Sequence, residues 1–428
     1  FPFDTPMASM EPEAKRAKVT EAWAIRPSLR AQRTRNPIRR IVDKIQASGS
    51  QCGKEMIPLS LGDPTVYGNL LAPEQLTEAV VQQVRGRRAN GYGHSAGLPA
   101  ARAAVAKFMS TETSPLTGDD IIMASGGSGA LELAISGLVN EGDNILVPRP
   151  GFPLYQVIAE SNGASVIEYP LLAEKNWQAD VEAMEALVTE NTKAILVNNP
   201  SNPCGSVFSQ ETLKGILSVA EKKRIPIIAD EIYGEMVFTG QTFTPIASLT
   251  STVPVIAMGG MAKMFLVPGW RVGWLCIHDR NGILTDARQG FMNLSQLILG
   301  SNTLVQAALE QVLTNEQDTL VEFNRSYVAA LESGAKCSID MLSKARGLSL
   351  VEPGGAMYMM VRVHPESFVD IPDDKEFAQL LLKEEAVFVL PGSCFGAPNF
   401  FRIVYTAPQE KLREAYDRII QFCDRHAC

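Results

Sequence analysis

The sequence predicts an α/β chain. A large, mostly parallel sheet carries helices on both faces, and a smaller α+β part follows it. Three observations predict this. Short β-rich runs alternate with helix-length amphipathic stretches from about residue 72. Past about residue 315 the pattern changes to one long helical stretch and then strands. The length, 428 residues, exceeds what one compact core usually holds.

Taken in order, residues 1–20 show neither helical nor strand period and no apolar signal-peptide core, so they read as a flexible arm. Their basic residues Lys15, Arg16 and Lys18 read as part of a solvated tail. Residues 21–71 are expected to pack with the C-terminal part, as the first piece of a small domain. Residues 72–315 form the expected large domain. Apolar spacing places helices over 73–86, 98–111, 128–139, 152–162, 178–190 and 209–223. Strands are expected at 121–124, 144–147, 165–169, 194–198, 225–229 and 255–258. Strands that alternate with helices form a parallel sheet buried on both faces, and such sheets bind ligands at their carboxyl ends. Residues 316–428 form the rest of the small domain. A long helix is expected at 316–345, strands at 357–363, 387–390 and 401–405, and a closing amphipathic helix at 409–426.

Composition narrows the function. The net charge of −8 and pI near 5.3 argue against a nucleic-acid partner. No apolar run reaches the roughly 18 residues of a membrane span. The seven cysteines are scattered without a CxxC pair, and only four histidines accompany them. Neither a disulfide framework nor a metal centre is expected, and a reducing, cytosolic setting fits.

Five local signals carry chemistry. Lys263 follows Gly259 and Gly260 in an apolar stretch, with Arg271 eight positions on. An amine in apolar surroundings is more readily unprotonated and suits Schiff-base chemistry; an arginine holds a phosphate bidentately. Taken alone, the lysine reads more economically as a packed stem with a solvated head. Asp230 ends the apolar run before Glu231, Ile232 and Tyr233. An acid there can face a protonated ring nitrogen, or merely cap a turn. Ser125-Gly126-Gly127-Ser128-Gly129 joins a strand to a helix, where bare N–H groups can meet a phosphate, although a plain helix start reads as well. It is neither GxGxxG nor a P-loop. Residues 198–205 hold two Asn-Pro steps that set a rigid turn and offer an amide. Arg402 lies inside an apolar strand, where a buried cation needs a partner: a substrate carboxylate or a structural acid.

In this order the five signals resemble the fold type I, pyridoxal phosphate (PLP) dependent aminotransferases of the class I/II group, from about Trp23 to the C-terminus. Asn36-Pro37-Ile38-Arg39, Leu61-Gly62-Asp63-Pro64-Thr65, Val267-Pro268-Gly269-Trp270-Arg271 and Gly355-Ala356-Met357-Tyr358 resemble the tyrosine-using branch. Lys263-Met264-Phe265 and the ending Phe422-Cys423-Asp424-Arg425-His426 resemble its trypanosomatid members. The resemblance implies that Lys263 carries PLP as a Schiff base and later moves the substrate proton. It implies that Asp230 pairs with the pyridine nitrogen, that Tyr233 and Asn202 donate to the phenolic oxygen, and that Phe152 stacks on the ring. Gly127, Ser128 and Arg271 would hold the phosphate, and Tyr92 would reach it across a homodimer interface. Arg402, with Gly62 and Asn202 beside it, would bind the α-carboxylate.

Two positions depart from the pattern: Gly260 and Gly126 stand where many relatives carry polar side chains. No arginine occurs from 289 to 303, where relatives that use aspartate place one for a second carboxylate. The implied activity is ping-pong transamination of tyrosine, then phenylalanine and methionine, with a 2-oxo acid acceptor. The alternatives are a carbon–sulfur β-lyase on the same fold and a non-catalytic PLP-binding regulator.

Overall fold

The structure, a computed structural model, describes residues 25–38, 52–313 and 318–428. The expected arm at 1–20 lies outside the described residues, as does the expected boundary at 315–316. A short helix α1 (Leu29–Arg33) and a two-residue strand β1 (Ile57–Pro58) come first, then helices α2 (Glu74–Gly86) and α3 (Pro99–Met109). The next elements are β2 (Ile121–Ala124), α4 (Gly126–Ser136), β3 (Asn144–Arg149), α5 (Leu154–Ser161), β4 (Ser165–Leu172), β5 (Gln178–Ala179) and α6 (Val181–Leu187). Then come β6 (Thr192–Asn198), α7 (Gln210–Lys223), β7 (Ile227–Asp230), β8 (Val255–Gly260), the single turn α8 (Met261–Met264) and β9 (Gly273–His278).

These strands form one eight-stranded sheet in the order β2-β9-β8-β7-β6-β3-β4-β5. Its centre is parallel: β3 with β4 and β6, β6 with β7, β7 with β8. The mostly parallel sheet expected from the sequence is thus present, with antiparallel strands at its two ends. Strand β9 runs antiparallel to β2 and β8, and β5 antiparallel to β4. Burial explains the apolar runs. Ile227, Ala229, Val255 and Ala257 enter one core, while Ile228 and Ile256 enter another on the opposite face. Successive residues are therefore all apolar instead of alternating.

Three expected helices begin elsewhere, for local reasons. Helix α4 starts two residues earlier, at Gly126. Helix α5 starts at Leu154, because Pro153 disfavours helical backbone at Phe152. Residues 178–179 pair with β4, and helix α6 begins after Asp180, whose side chain accepts from Ala183 N.

The chain continues through α9 (Thr285–Ser295), α10 (Thr303–Leu313) and α11 (Asp318–Leu342) to β10 (Leu348–Leu350) and β11 (Tyr358–Val363). It ends with α12 (Asp374–Glu385), β12 (Val387–Phe388), β13 (Leu390–Pro391), β14 (Phe400–Val404) and α13 (Gln409–His426). The single strand expected at 387–390 is two short ones, which pair with different partners: β12 with β1 and β13 with β14. A second, four-stranded antiparallel sheet has the order β10-β11-β14-β13. Helix α13 buries Leu412, Ala415, Tyr416, Ile419 and Phe422 at helical spacing against it. That core also takes Ile57 and Leu59, and from just past β7 it takes Ile232, Tyr233, Met236 and Phe238. The junction of the two sheets thus lies just past the carboxyl end of β7, three residues beyond Asp230.

Candidate active site

A cavity of about 290 Å³ opens at that junction. Its lining includes Lys263, Asp230, Tyr233, Gly127, Ser128, Phe152, Asn202, Arg271, Arg402 and Gly62, so one cleft gathers ten of the eleven residues singled out in the sequence. Tyr92 is the exception: it is 93% exposed and does not line the cleft.

Each side chain has a local cause for its place. Asp230 ends β7 and lines the cleft, while the next residue, Glu231, just past the strand, lines a separate cavity. The Asp230 carboxylate accepts from Tyr155 Oη at 2.7 Å and from Ile232 N at 3.3 Å. Burial pushes its pKa up; those two donors and the charge of Lys263 pull it back. Lys263 sits in the single turn α8, and its Nζ donates to the Gly62 carbonyl.

Beside them, helix α4 presents the N-terminal N–H groups of Gly127 and Ser128, which have no partner within the helix. Arg271 lies against this turn, with Nη2 donating to Ser125 O at 3.1 Å and Nη1 to Pro268 O at 3.0 Å. Its φ of +53° is a strained setting for a non-glycine residue. Gly126 is itself left-handed, at φ +69°, and a Cβ there would lie 2.6 Å from the Arg271 guanidinium. A Cβ on Gly260 would meet Gly273 Cα and Val272 O at 3.0 Å. Both departures noted in the sequence therefore fall where backbone or arginine crowds the position.

The opposite wall comes from the second sheet. Arg402 is 3% exposed; Nη1 donates to Asn202 Oδ1 at 2.8 Å and Nη2 to Ser60 O at 2.6 Å. Its guanidinium carbon lies over the rings of Tyr358 and Phe395, with Cζ 4.5 and 4.7 Å from their centroids. Burial pulls its pKa below the usual arginine value. Asn202 is held by the turn after β6, where its N–H donates to Asn198 Oδ1 at 2.7 Å and Asn198 Nδ2 donates to Asp230 O at 3.1 Å. Phe152 meets Tyr155 edge-on at 5.7 Å. Tyr233 hydrogen-bonds Tyr358 through their hydroxyls at 2.8 Å.

Sequence reasoning missed Tyr155, Tyr358 and Ser60. Two are aromatic residues in apolar stretches that read as core, and the third acts through its carbonyl, which leaves no mark in a sequence.

A buried acid, an amine, a backbone anion cradle with an arginine, and a second, buried arginine share this cleft. The chain matches the family model for aminotransferase class I and II over residues 54–419 and belongs to that family. It is an aminotransferase, and members of the family depend on pyridoxal phosphate. Among curated relatives it is 48% identical to the tyrosine aminotransferase of Dictyostelium discoideum over 406 residues, covering 94% of this chain and 97% of that one. It is 45% identical to the human tyrosine aminotransferase, covering 94% and 88%. The crystal structure of the Leishmania infantum tyrosine aminotransferase matches with a TM-score of 0.91 at 38% identity, covering 95% of this chain and all of that one.

Proposed function

We propose that this aminotransferase uses PLP on Lys263 to transfer the amino group of tyrosine, and of phenylalanine and methionine, to a 2-oxo acid. The observation that carries this reading is one cleft with Lys263 and Asp230 on one wall and the buried Arg402 on the other. The residues present fit the cofactor. A buried carboxylate suits a protonated ring nitrogen, and the α4 N-terminus with Arg271 suits a phosphate.

When bound, PLP supplies an aldehyde for imine formation and a ring that withdraws electrons from the reacting carbon. The rest is the work of this chain. Lys263 Nζ would hold the cofactor and, as a free amine, would take up the proton from the substrate Cα. Asp230 keeps a proton on the ring nitrogen opposite it. Tyr233 and the side-chain nitrogen of Asn202 donate to the phenolic oxygen, and Phe152 covers the ring face. Gly127 N, Ser128 N and Arg271 hold the phosphate. Arg402 binds the α-carboxylate, next to Gly62, and so fixes Cα toward Lys263. The reading is ping-pong transamination, in which the amino group would stay on the bound cofactor between departure of the first 2-oxo acid and arrival of the second.

Specificity for apolar and aromatic side chains is supported by the stretch 289–303, which carries exposed Leu297, Ile298 and Leu299 and no arginine. The reading includes a homodimer in a reducing, cytosolic setting, with Tyr92 completing the phosphate site of the partner. Residues 21–71 and 316–428 form the small domain of each subunit, and 72–315 the large one. Two measurements test the core of it. Borohydride reduction of PLP-loaded protein should fix the cofactor on the Lys263 peptide, and kcat/KM should rank tyrosine above aspartate. An adduct on another lysine, or a preference for aspartate, rejects the reading.

A further inference from the structure

We propose that Tyr358 is a positioning residue that joins the carboxylate-binding arginine to the cofactor-facing tyrosine, with its ring fixing Arg402 and its hydroxyl orienting Tyr233. The inference rests on the functional reading above. Tyr358 stands in β11, is 1% exposed, and lines the cleft.

Three contacts converge on this one side chain. The Arg402 guanidinium carbon lies over its ring, 4.5 Å from the centroid, and over the Phe395 ring at 4.7 Å. Nη1 and Nη2 each donate to a neutral oxygen, so two hydrogen bonds and two aromatic rings together hold the cation in place. Nε has no partner. The Tyr358 hydroxyl lies 2.8 Å from that of Tyr233, and the rings meet edge-on at 86°. A Cβ on Gly62 would come within 2.5 Å of the same hydroxyl, so glycine at 62 is what lets it sit there.

The Gly62 carbonyl in turn accepts from Lys263 Nζ. Tyr358 is therefore packed between the carboxylate clamp, the cofactor donor and the backbone that holds the lysine.

The two parts of the side chain have separable effects. A hydroxyl that donates to Tyr233 Oη leaves the Tyr233 proton free to point at the cofactor's phenolic oxygen and polarises that O–H. A stronger donor there favours the unprotonated cofactor Schiff base. Losing the Tyr358 hydroxyl weakens the donor and raises the proton affinity of the Schiff base. The ring acts on the other side: without it, Arg402 loses one of its two aromatic contacts and the cation is no longer fixed against a carboxylate.

The test uses full-length, PLP-loaded protein and compares Tyr358→Phe with Tyr358→Leu. One readout is the visible-absorbance titration of the bound cofactor. The other is the Kd of 3-phenylpropionate, an unreactive carboxylate. Tyr358→Phe should raise the proton affinity seen in the titration about threefold to tenfold, with 3-phenylpropionate affinity near that of the wild type. Tyr358→Leu should shift the titration similarly and also weaken 3-phenylpropionate by about threefold or more.

In a Tyr233→Phe background, Tyr358→Phe should cause no further shift, because its hydroxyl then has nothing to orient. An unmoved titration in Tyr358→Phe overturns the proposal, as does a full-sized shift in the Tyr233→Phe background. Unchanged 3-phenylpropionate affinity in Tyr358→Leu also overturns it. Should Tyr358→Leu fail to fold, the Tyr358→Phe and Tyr233→Phe cycle decides. Wild-type protein with no borohydride-reducible band would reject the functional reading and this proposal together. A normal wild-type band with unmoved variants rejects the proposal alone.

Discussion

Replacing Tyr155 by phenylalanine would remove one oxygen from beneath the acid of the site and leave the ring in place. The phenol donates to Asp230 Oδ2 at 2.7 Å, while the ring meets Phe152 edge-on at 5.7 Å, so the variant loses a donor and keeps its packing. A hydrogen bond to a charged group contributes about 1.5–3 kcal/mol, roughly 10- to 150-fold in an equilibrium constant. PLP affinity of the cofactor-free protein should fall by that order, because Asp230 is the group expected to hold the ring nitrogen. The pH dependence has a definite sign. Burial already raises the Asp230 pKa, and the phenol is one of the groups that pull it back. Without the phenol the carboxyl rises further, so its charge is lost at a higher pH than in the wild type. The deficit in affinity should therefore open as pH falls through the variant's raised pKa, where the wild-type carboxyl still carries its charge, and be smallest at higher pH, where both are ionised. The assay is PLP titration of cofactor-free protein at several pH values. Tyr169→Phe is the control: its buried hydroxyl donates to Leu196 O at 2.8 Å, away from the cleft. That change should lower stability by about 1 kcal/mol and leave PLP affinity alone. PLP affinity of Tyr155→Phe within about threefold of wild type across the range, or an equal loss in Tyr169→Phe, would refute the reasoning.

Arg402→Leu should lower kcat/KM at least about thirtyfold for every amino donor, from about 2 kcal/mol or more of lost charge pairing; a loss confined to dicarboxylic donors would make Arg402 a side-chain selector instead. Mixing Lys263→Ala chains with Tyr92→Phe chains should restore PLP retention at the sites that combine an intact Lys263 with a partner's intact tyrosine, and no recovery after proven subunit exchange would reject the shared site. At the C-terminus, His426 faces Asp370 through Nδ1 at 2.7 Å and Glu384 through Nε2 at 3.1 Å, and those carboxylates raise its pKa above 6.5. The stabilisation is fully present below the unfolded value and lost as pH rises through the folded one. Denaturant unfolding should therefore show His426→Ala destabilised by up to about 1 kcal/mol at low pH, with the gap closing at high pH; a constant gap would contradict this.

The central strands were legible because both faces of the sheet are buried, which turns 225–229 and 255–258 into unbroken apolar runs. Strand β9 was not, since its residues directly follow the proline, glycine and arginine of a turn and read as part of that motif. Asp230, Lys263 and Arg402 stood out for one reason: a charged residue inside an apolar run needs a special partner. Tyr155 obeys the ordinary rule for core residues, so nothing in the one-dimensional pattern separates it from Tyr169 or Tyr416, and Tyr358 stands out only as the end of a family-like motif, without a role. What distinguishes them is the atom each hydroxyl meets, and that depends on two sheets coming together between Asp230 and Tyr233.

The same junction explains why the cleft favours its ligand. Asp230 and Arg402 are both buried, yet their hydrogen bonds go to neutral groups: a phenol and an amide for the acid, an amide oxygen and a carbonyl for the arginine. Their pKa values move in opposite directions for one cause, loss of water, which opposes the charged form of each. Pairing the two with each other would relieve both and close the site. The fold instead puts them on walls that belong to different cores, Asp230 at the end of β7 and Arg402 in the middle of β14. Each charge therefore remains under-compensated until something else arrives. On the function proposed above, a protonated ring nitrogen would answer the first and a carboxylate the second, with the reacting carbon between them on the side where Lys263 stands. The electrostatic cost of burying Asp230 and Arg402 and the ligand orientation proposed for the cleft thus share one structural origin, the separation of two buried charges across the boundary between the sheets.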